Sequence, residues 1–97
     1  MTYFIFMEAI EKIESLRNHI DELDDRILDL LIRRFAISEK IGGIKAQVGL
    51  AIGDSNRESY IIDRLTEKLK GKLKREDIAA IFGPVYNISK KIQIKEK

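Results

Sequence analysis

The stretch that decides the fold runs from Ile13 to Val48 and reads IESLRNHIDELDDRILDLLIRRFAISEKIGGIKAQV. Its aliphatic residues fall in two columns, each of which repeats every seven residues. The first column contains Ile13, Ile20, Ile27, Ile41 and Val48, and the second contains Leu16, Leu23, Leu30, Ile37 and Ile44. Apolar positions sustained at this spacing are typical of a long helix that packs against other helices.

This first helix is predicted from about Met7 to Gln47, because no proline and no glycine occurs before Gly42. A helix of about 40 residues is roughly 60 Å long, which is about twice the width of a domain of this size. One chain cannot cover such a helix, so we expect the columns to pack against a second copy in an intertwined helical homodimer. The apolar residues 1–7 are expected to form a loosely ordered N-terminal extension.

Two further helices complete the predicted all-α chain, which we treat as a single domain over residues 1–97. Ser55-Asn-Arg-Glu58 is typical of a capping box at the start of a second helix, which continues to Gly71. A third helix is predicted from about Arg75 to Lys95, with a kink or local break near Gly83-Pro84, since proline removes a backbone hydrogen bond. Its inner face is expected to consist of Ile78, Ile81, Phe82, Val85, Ile88 and Ile92.

The composition excludes several kinds of site and partner. The absence of cysteine excludes disulfides and thiolate chemistry, and a single histidine, His19, excludes a histidine-rich metal site. The net charge of +2 is too small to indicate a nucleic-acid partner, and the basic tail at residues 90–97 is expected to be a solvated helix end. No apolar run approaches the ~20 residues of a membrane span, so we expect a cytoplasmic protein.

The first column is interrupted at Arg34, where the repeat calls for an aliphatic residue. Because an unpaired buried guanidinium is costly, Arg34 should meet an anion, and an ion pair with a neighbouring helix is one interpretation. Lys45 lies about three turns further along nearly the same face, with the small residues Ser38 and Gly42 between them. This arrangement favours a cationic hollow that binds a small anion.

Arg17 shares a heptad column with Ser38 and Lys45, but it precedes Arg34 by a rise of about 25 Å. Arg17 and Arg34 of the same chain are therefore too far apart to bind the same small molecule. In an antiparallel pair of long helices, Arg17 of one chain would approach Arg34 of the other. Taken alone, Arg17 is interpreted as a solvated surface residue.

Two further polar groups adjoin the predicted helices. Asp54, Arg57 and Glu58 follow the break after the first helix, where the simplest role of the acidic residues is to cap the second helix. Ser89 and Gln93 lie four residues apart on one face of the third helix. Both can form hydrogen bonds without adding charge.

Together these residues resemble the all-helical chorismate mutases, from about Leu16 to Gln93. LRNHIDELD at residues 16–24 is similar to the family's opening L-R-x-x-I-D-x-L-D, LLIRR at 30–34 to L-L-x-x-R, IGGIK at 41–45 to x-G-x-x-K, and DSNRE at 54–58 to D-x-x-R-E. The end of the third helix is matched by Ile81-Phe82 with Ser89 and Gln93. Each motif is weak alone, whereas the ordered set with its spacings is specific.

The resemblance implies the Claisen rearrangement of chorismate to prephenate, in the biosynthesis of phenylalanine and tyrosine, without a cofactor, a metal or a covalent intermediate. It implies that Arg34 and the other chain's Arg17 bind the substrate carboxylates. Lys45 and Gln93 would donate to the ether oxygen as the C–O bond breaks. Because Gln93 is uncharged, this donor should not need an acidic pH.

The resemblance also assigns four substrate-binding residues. Arg57 and Glu58 would line the site, with Glu58 at the ring hydroxyl, and Asp54 and Ser89 would complete the polar wall. Two alternatives stay open at this point. An isochorismate pyruvate lyase shares the fold and most of the cationic site, and a non-enzymatic helical dimerisation module would use Arg34 in a structural ion pair.

Overall fold

The computed structural model describes residues 2–95, without the side chain of Lys95, so the end of the predicted basic tail lies outside the described residues. Over this range the chain forms three helices and no strand. They are α1 (Thr2–Val48), α2 (Ser55–Lys68) and α3 (Arg75–Lys95). The predicted all-α class and the long first helix are confirmed, and the intertwined homodimer stays a prediction.

α1 begins at Thr2 rather than near Met7, so residues 2–7, assigned above to a loose extension, are helical. This stretch contains neither glycine nor proline, and nothing in it stops a helix. α1 ends at Val48 because Gly49 adopts a positive φ of 73°. The N–H of Leu50 then donates to the carbonyl of Lys45 at 2.9 Å, which closes the last turn.

The chain divides into two compact units, of which the first ends at Ile32 and the second begins at Arg33. In the first unit the two apolar columns of α1 are exposed, from 43% at Ile13 to 61% at Leu16 and Leu30. A continuous exposed apolar surface of this kind is unfavourable in water and marks an interaction site. The expectation of one domain over residues 1–97 stays a prediction.

The N-cap of α2 is Asp54, whose carboxylate accepts a hydrogen bond from the backbone N–H of Arg57 at 3.0 Å. The predicted capping box placed this cap on Ser55 and is therefore wrong by one residue. A carboxylate both accepts the N–H and adds negative charge at the positive end of the helix, which favours Asp54. Glu58 does not return to the cap, because its carboxylate pairs with Lys90 at 3.2 Å.

α3 runs without interruption through Pro84, so of the predicted kink or local break, the break is wrong and the kink stays a prediction. Proline removes the hydrogen bond to the carbonyl of Ala80, four residues earlier. Ala80 and Pro84 are both exposed, and water can therefore bind this carbonyl. The helix tolerates the proline because the lost hydrogen bond lies on its solvent-exposed face.

The core of the second unit forms where α2 packs against α3. Its buried apolar residues are Ile61, Ile78, Val85 and Tyr86, with Ile78 only 2% exposed. Ile81 and Ile88, which were predicted for the inner face of α3, are exposed in the chain. The buried face of α3 instead continues through Tyr86 to polar Ser89 and Gln93. It thus changes from apolar to polar along its length.

α1 and α3 approach each other closely at Gly42, which is buried. A Cβ atom built on Gly42 would lie 2.8 Å from both Cα and Cγ of Gln93. Gln93 therefore occupies the space beside Gly42 where a hollow was predicted. Of the two small residues, Ser38 lines the pocket described below and Gly42 does not. Glycine is required here because any side chain would collide with the backbone of α3.

Replacement of Gly42 should destabilise the second unit. We expect Gly42→Ala to lower the free energy of unfolding by about 1–3 kcal/mol, because the methyl group forces the backbone of Gln93 to move. Gly83→Ala is the matched control, since nothing lies within 4 Å of a Cβ atom there. That change within a helix should stabilise by about 0.5–1 kcal/mol. Equal unfolding free energies of the two variants in urea would contradict this account.

The stability should also depend on the ionisation of Tyr86. Burial raises the pKa of Tyr86 above its ordinary value of 10.0, although Arg34 lowers it in part. The folded state thus favours the neutral phenol, so this contribution is complete below pH 10 and is lost as the pH rises through the folded-state pKa. We expect the unfolding free energy to fall more steeply above pH 10 in the wild type than in Tyr86→Phe. Parallel pH curves would refute the assignment.

Candidate active site

The second unit contains a pocket of about 400 Å³ between the C-terminal part of α1, the start of α2 and the end of α3. Seven of the eight predicted site residues line it: Arg34, Lys45, Asp54, Arg57, Glu58, Ser89 and Gln93. Apolar walls come from Ile37, Ile41 and Ile61. The pocket combines a few polar groups with an apolar lining, as small-molecule sites do.

The eighth predicted residue, Arg17, does not line this pocket. It lies in the first unit, where its Nη1 atom contacts Oε1 of Glu14 at 3.1 Å and both side chains are exposed. An exposed ion pair between residues three apart contributes little stability. Arg17 can therefore exchange Glu14 for another partner at little cost in free energy. The role of Arg17 in another chain's site stays a prediction.

The pocket is cationic. Four basic and two acidic side chains line it, which gives a net charge of +2 with each group in its ordinary ionised form. The acidic groups are engaged, because Asp54 caps α2 and Glu58 pairs with Lys90. Arg34, Lys45 and Arg57 have no carboxylate within ion-pair distance among residues 2–95. Within residues 2–95, Arg34 therefore does not form the ion pair with a neighbouring helix that was one interpretation of its position.

Neutral groups hold Arg34 instead. Its Nη1 atom donates to Oγ of Ser89 at 3.2 Å, and its Cζ atom lies 5.6 Å from the ring centroid of Tyr86. Tyr86 in turn packs on Phe82, with ring centroids 6.0 Å apart. A guanidinium has five N–H donors, so most of them stay available to a ligand in the pocket.

Gln93 brings an amide group to the pocket wall. Its side chain is buried, and its Oε1 atom has no hydrogen-bond partner within the part of the chain that the structure describes. A buried polar atom without a partner costs free energy, which a polar ligand in the pocket would recover. Rotation of the amide by 180° presents Nε2 in place of Oε1, so Gln93 can also donate.

Sequence analysis missed two polar lining residues, Tyr86 and Lys90. Lys90 had been assigned to the solvated tail, but it lines the pocket and pairs with Glu58. A signal for both was present, because residues 86, 89, 90 and 93 share one face of α3 at the 3/4 helical spacing. Ser89 and Gln93 had already marked that face.

No helix within residues 2–95 is long and apolar enough to cross a membrane. Over the same residues, no three or more His, Cys, Asp or Glu side chains are grouped so that they could hold a metal ion.

Known proteins resemble this chain over much of its length. The chorismate mutase of Methanocaldococcus jannaschii is 41% identical over 61 residues, which cover 63% of this chain and 62% of the relative. Bifunctional chorismate mutase/prephenate dehydratases of Stutzerimonas stutzeri and Pseudomonas aeruginosa are 28% and 27% identical, over 78% and 74% of this chain. The matches cover 22% and 21% of those two proteins.

The chain thus spans less than two thirds of the length of these relatives. No solved structure matches it significantly. The family model for chorismate mutase type II matches residues 16–94, which include Arg17 and all seven predicted residues of the pocket. Since this match covers most of the sequence and confirms the resemblance seen in its motifs, the protein belongs to the type II chorismate mutase family.

Proposed function

We propose that this protein is a chorismate mutase, which rearranges chorismate to prephenate. The observation that supports this most directly is the pocket charge of +2, with Arg34 and Lys45 unpaired by any carboxylate in residues 2–95. Chorismate carries two carboxylates, so the pocket and the substrate are complementary in charge. The reaction is intramolecular, and a protein accelerates it by holding the folded conformer and stabilising the charge that develops.

Arg34 binds one carboxylate of the substrate in this proposal. Its guanidinium is partly buried and keeps its remaining donors free, and bidentate binding of a carboxylate suits arginine better than lysine. Arg17 of a second chain contributes to the grip on the carboxylates. Two arginines from different chains would then fix the substrate in its reactive conformation.

Lys45 and Gln93 act on the ether oxygen. As the C–O bond breaks, negative charge accumulates on this oxygen, and donors aimed at it lower the barrier. Lys45 lies on α1 and Gln93 on α3, so the two donors come from different helices that line the pocket. Gly42 keeps these helices close enough for the amide of Gln93 to take part.

The first turn of α2 supplies the rest of the polar wall. The cap formed by Asp54 fixes the start of the helix and hence the positions of Arg57 and Glu58. Lys90 orients the carboxylate of Glu58 through their contact at 3.2 Å, so that it can accept a hydrogen bond from the ring hydroxyl. Ser89 orients Arg34 through its hydroxyl oxygen.

The functional form in this proposal is a homodimer in which the α1 helices run antiparallel. The exposed apolar columns of the first unit support it, because burial of such a surface needs a partner helix. A second copy offers the same 3/4 pattern and can pair with it. We also retain the cytoplasm as the proposed location, since the lack of cysteine suits a reducing compartment.

Arg34→Ala should abolish turnover without unfolding the protein. We expect kcat/KM for chorismate to fall by about 10²–10³-fold, because the hydrogen bonds of a guanidinium to the substrate carboxylate are lost in both the ground and the transition state. Arg64→Ala is the matched control, because Arg64 is an exposed arginine of α2 that does not line the pocket. Circular dichroism and the elution volume should be unchanged in both variants.

The same assay separates the alternatives. Purified protein is incubated with chorismate and then with isochorismate, and prephenate is followed against salicylate. If only salicylate forms, the protein is a lyase and the proposal is wrong. If neither product forms and Arg34→Ala unfolds, the protein is a dimerisation module instead.

Mixing two inactive variants tests whether Arg17 acts in trans. Arg17→Ala and Arg34→Ala are inactive alone, but a mixed dimer contains one site with both arginines intact. Random reassembly after joint refolding should restore about a quarter of the wild-type activity, because about half of the dimers are mixed and each has one intact site of two. A mixture no more active than its components would show that Arg17 does not serve the other chain.

A further inference from the structure

Tyr86 has a position that the proposed reaction does not by itself explain. It is 6% exposed, it lines the pocket, and it lies beside both Arg34 and Ser89 on the inner face of α3. Its hydroxyl makes only a long contact of 3.5 Å to the backbone carbonyl of Glu58. The nearer functional group is its ring, which the guanidinium of Arg34 overlies at 5.6 Å.

Arg34 needs support because arginine is long and has many rotamers. The only hydrogen bond of its side chain in the described chain is the one to Ser89, at 3.2 Å. A single neutral hydrogen bond still allows the guanidinium to rotate about that contact. A mobile arginine side chain loses conformational entropy each time a substrate binds. A group fixed before binding avoids this loss.

An aromatic ring can hold the guanidinium of Arg34 without occupying its N–H donors, whereas a carboxylate cannot. A carboxylate would occupy the N–H donors at the edge of the guanidinium, and the substrate carboxylate would have to displace it. A ring attracts the cation through its face and leaves the edge donors free. The distance of 5.6 Å lies within the range of about 6 Å in which this attraction acts.

We infer that Tyr86 is a positioning residue, whose ring holds the guanidinium of Arg34 in the orientation that binds a substrate carboxylate. This inference rests on the proposed function and deepens it. The ring is itself held by Phe82, whose centroid lies 6.0 Å away, so the support is continuous with the α3 side of the core. The neutral phenol, which burial favours, does not compete for the cation as a phenolate would.

A second arginine–tyrosine pair shows what is specific to this site. Arg57 overlies the ring of Tyr60 at 5.3 Å, a similar distance. Tyr60, however, is 55% exposed and does not line the pocket. Water weakens such a contact at an exposed site. Of these two pairs, only Arg34 and Tyr86 is shielded from water and has both residues in the pocket lining.

The kinetic test replaces the ring and keeps the volume. Tyr86→Leu and Tyr86→Met should lower kcat/KM for chorismate about tenfold, mainly by raising KM, because Arg34 binds the substrate carboxylate in both the ground and transition states. Tyr86→Phe keeps the ring and should stay within about threefold of the wild type. Tyr60→Leu is the matched control, since it removes the ring of the exposed arginine–tyrosine pair, which does not line the pocket.

A double-mutant cycle shows whether Tyr86 acts through Arg34. In an Arg34→Lys background, Tyr86→Leu should cost no more than about twofold, because the cation that the ring holds is already changed. A tenfold loss in both backgrounds would overturn the inference, and so would an unchanged KM in Tyr86→Leu and Tyr86→Met. A loss of the same size in Tyr60→Leu would also overturn it, because the effect would then not be specific to the ring beside Arg34.

A measurement without substrate covers the case in which the Tyr86 variants fail to fold. The Nε–H signal of Arg34 in an NMR spectrum of the wild type is assigned by its loss in Arg34→Lys. Its order parameter should be well above that of exposed Arg64, and Tyr86→Phe should preserve it. An Arg34 as mobile as Arg64 would refute the inference whatever the activity. A wild type that is rigid at Arg34 but inactive would refute only the proposed function.

Discussion

The close approach of α1 and α3 at Gly42 is the constraint on which the second unit depends. The absence of a side chain there lets the backbone of α3 come within 2.8 Å of the place where a Cβ atom would lie. This contact fixes the register between the two helices. The same register brings Ser89 to Arg34 and the amide of Gln93 to the pocket that Lys45 also lines. A single methyl group would change all of these distances together.

The pocket is positively charged because two of its cations, Arg34 and Lys45, have no carboxylate beside them in the described chain. Asp54 is engaged in capping and Glu58 in a pair with Lys90, which leaves Arg34 and Lys45 without a carboxylate in the described chain. Neutral groups, the hydroxyl of Ser89 and the ring of Tyr86, hold Arg34 instead. An unpaired, partly buried cation is unfavourable in the empty protein. An anionic ligand would recover that cost, so the charge of the pocket favours an anion.

Several sequence predictions failed for reasons that are local and physical. Pro84 does not break α3, because the carbonyl it leaves without a partner is on the exposed side. The cap of α2 is Asp54 rather than Ser55, and the two are adjacent residues that both favour this position. Lys90 was assigned to the solvent because charged residues near a helix end usually are solvated. Its pairing with Glu58 depends on how α2 and α3 pack, which composition does not reveal.

By itself the sequence determined the all-α class, the long first helix and seven of the residues that line the pocket, because heptad spacing and an ordered set of motifs are local properties of the chain. It also identified Arg34 as an anomaly that calls for an anion. Only the tertiary structure decided that Gln93 packs against Gly42 and that the guanidinium of Arg34 lies over the ring of Tyr86. In both contacts the two residues are far apart in the sequence. Such contacts follow from how closely two helices approach, and this distance is set by all the side chains between them at once.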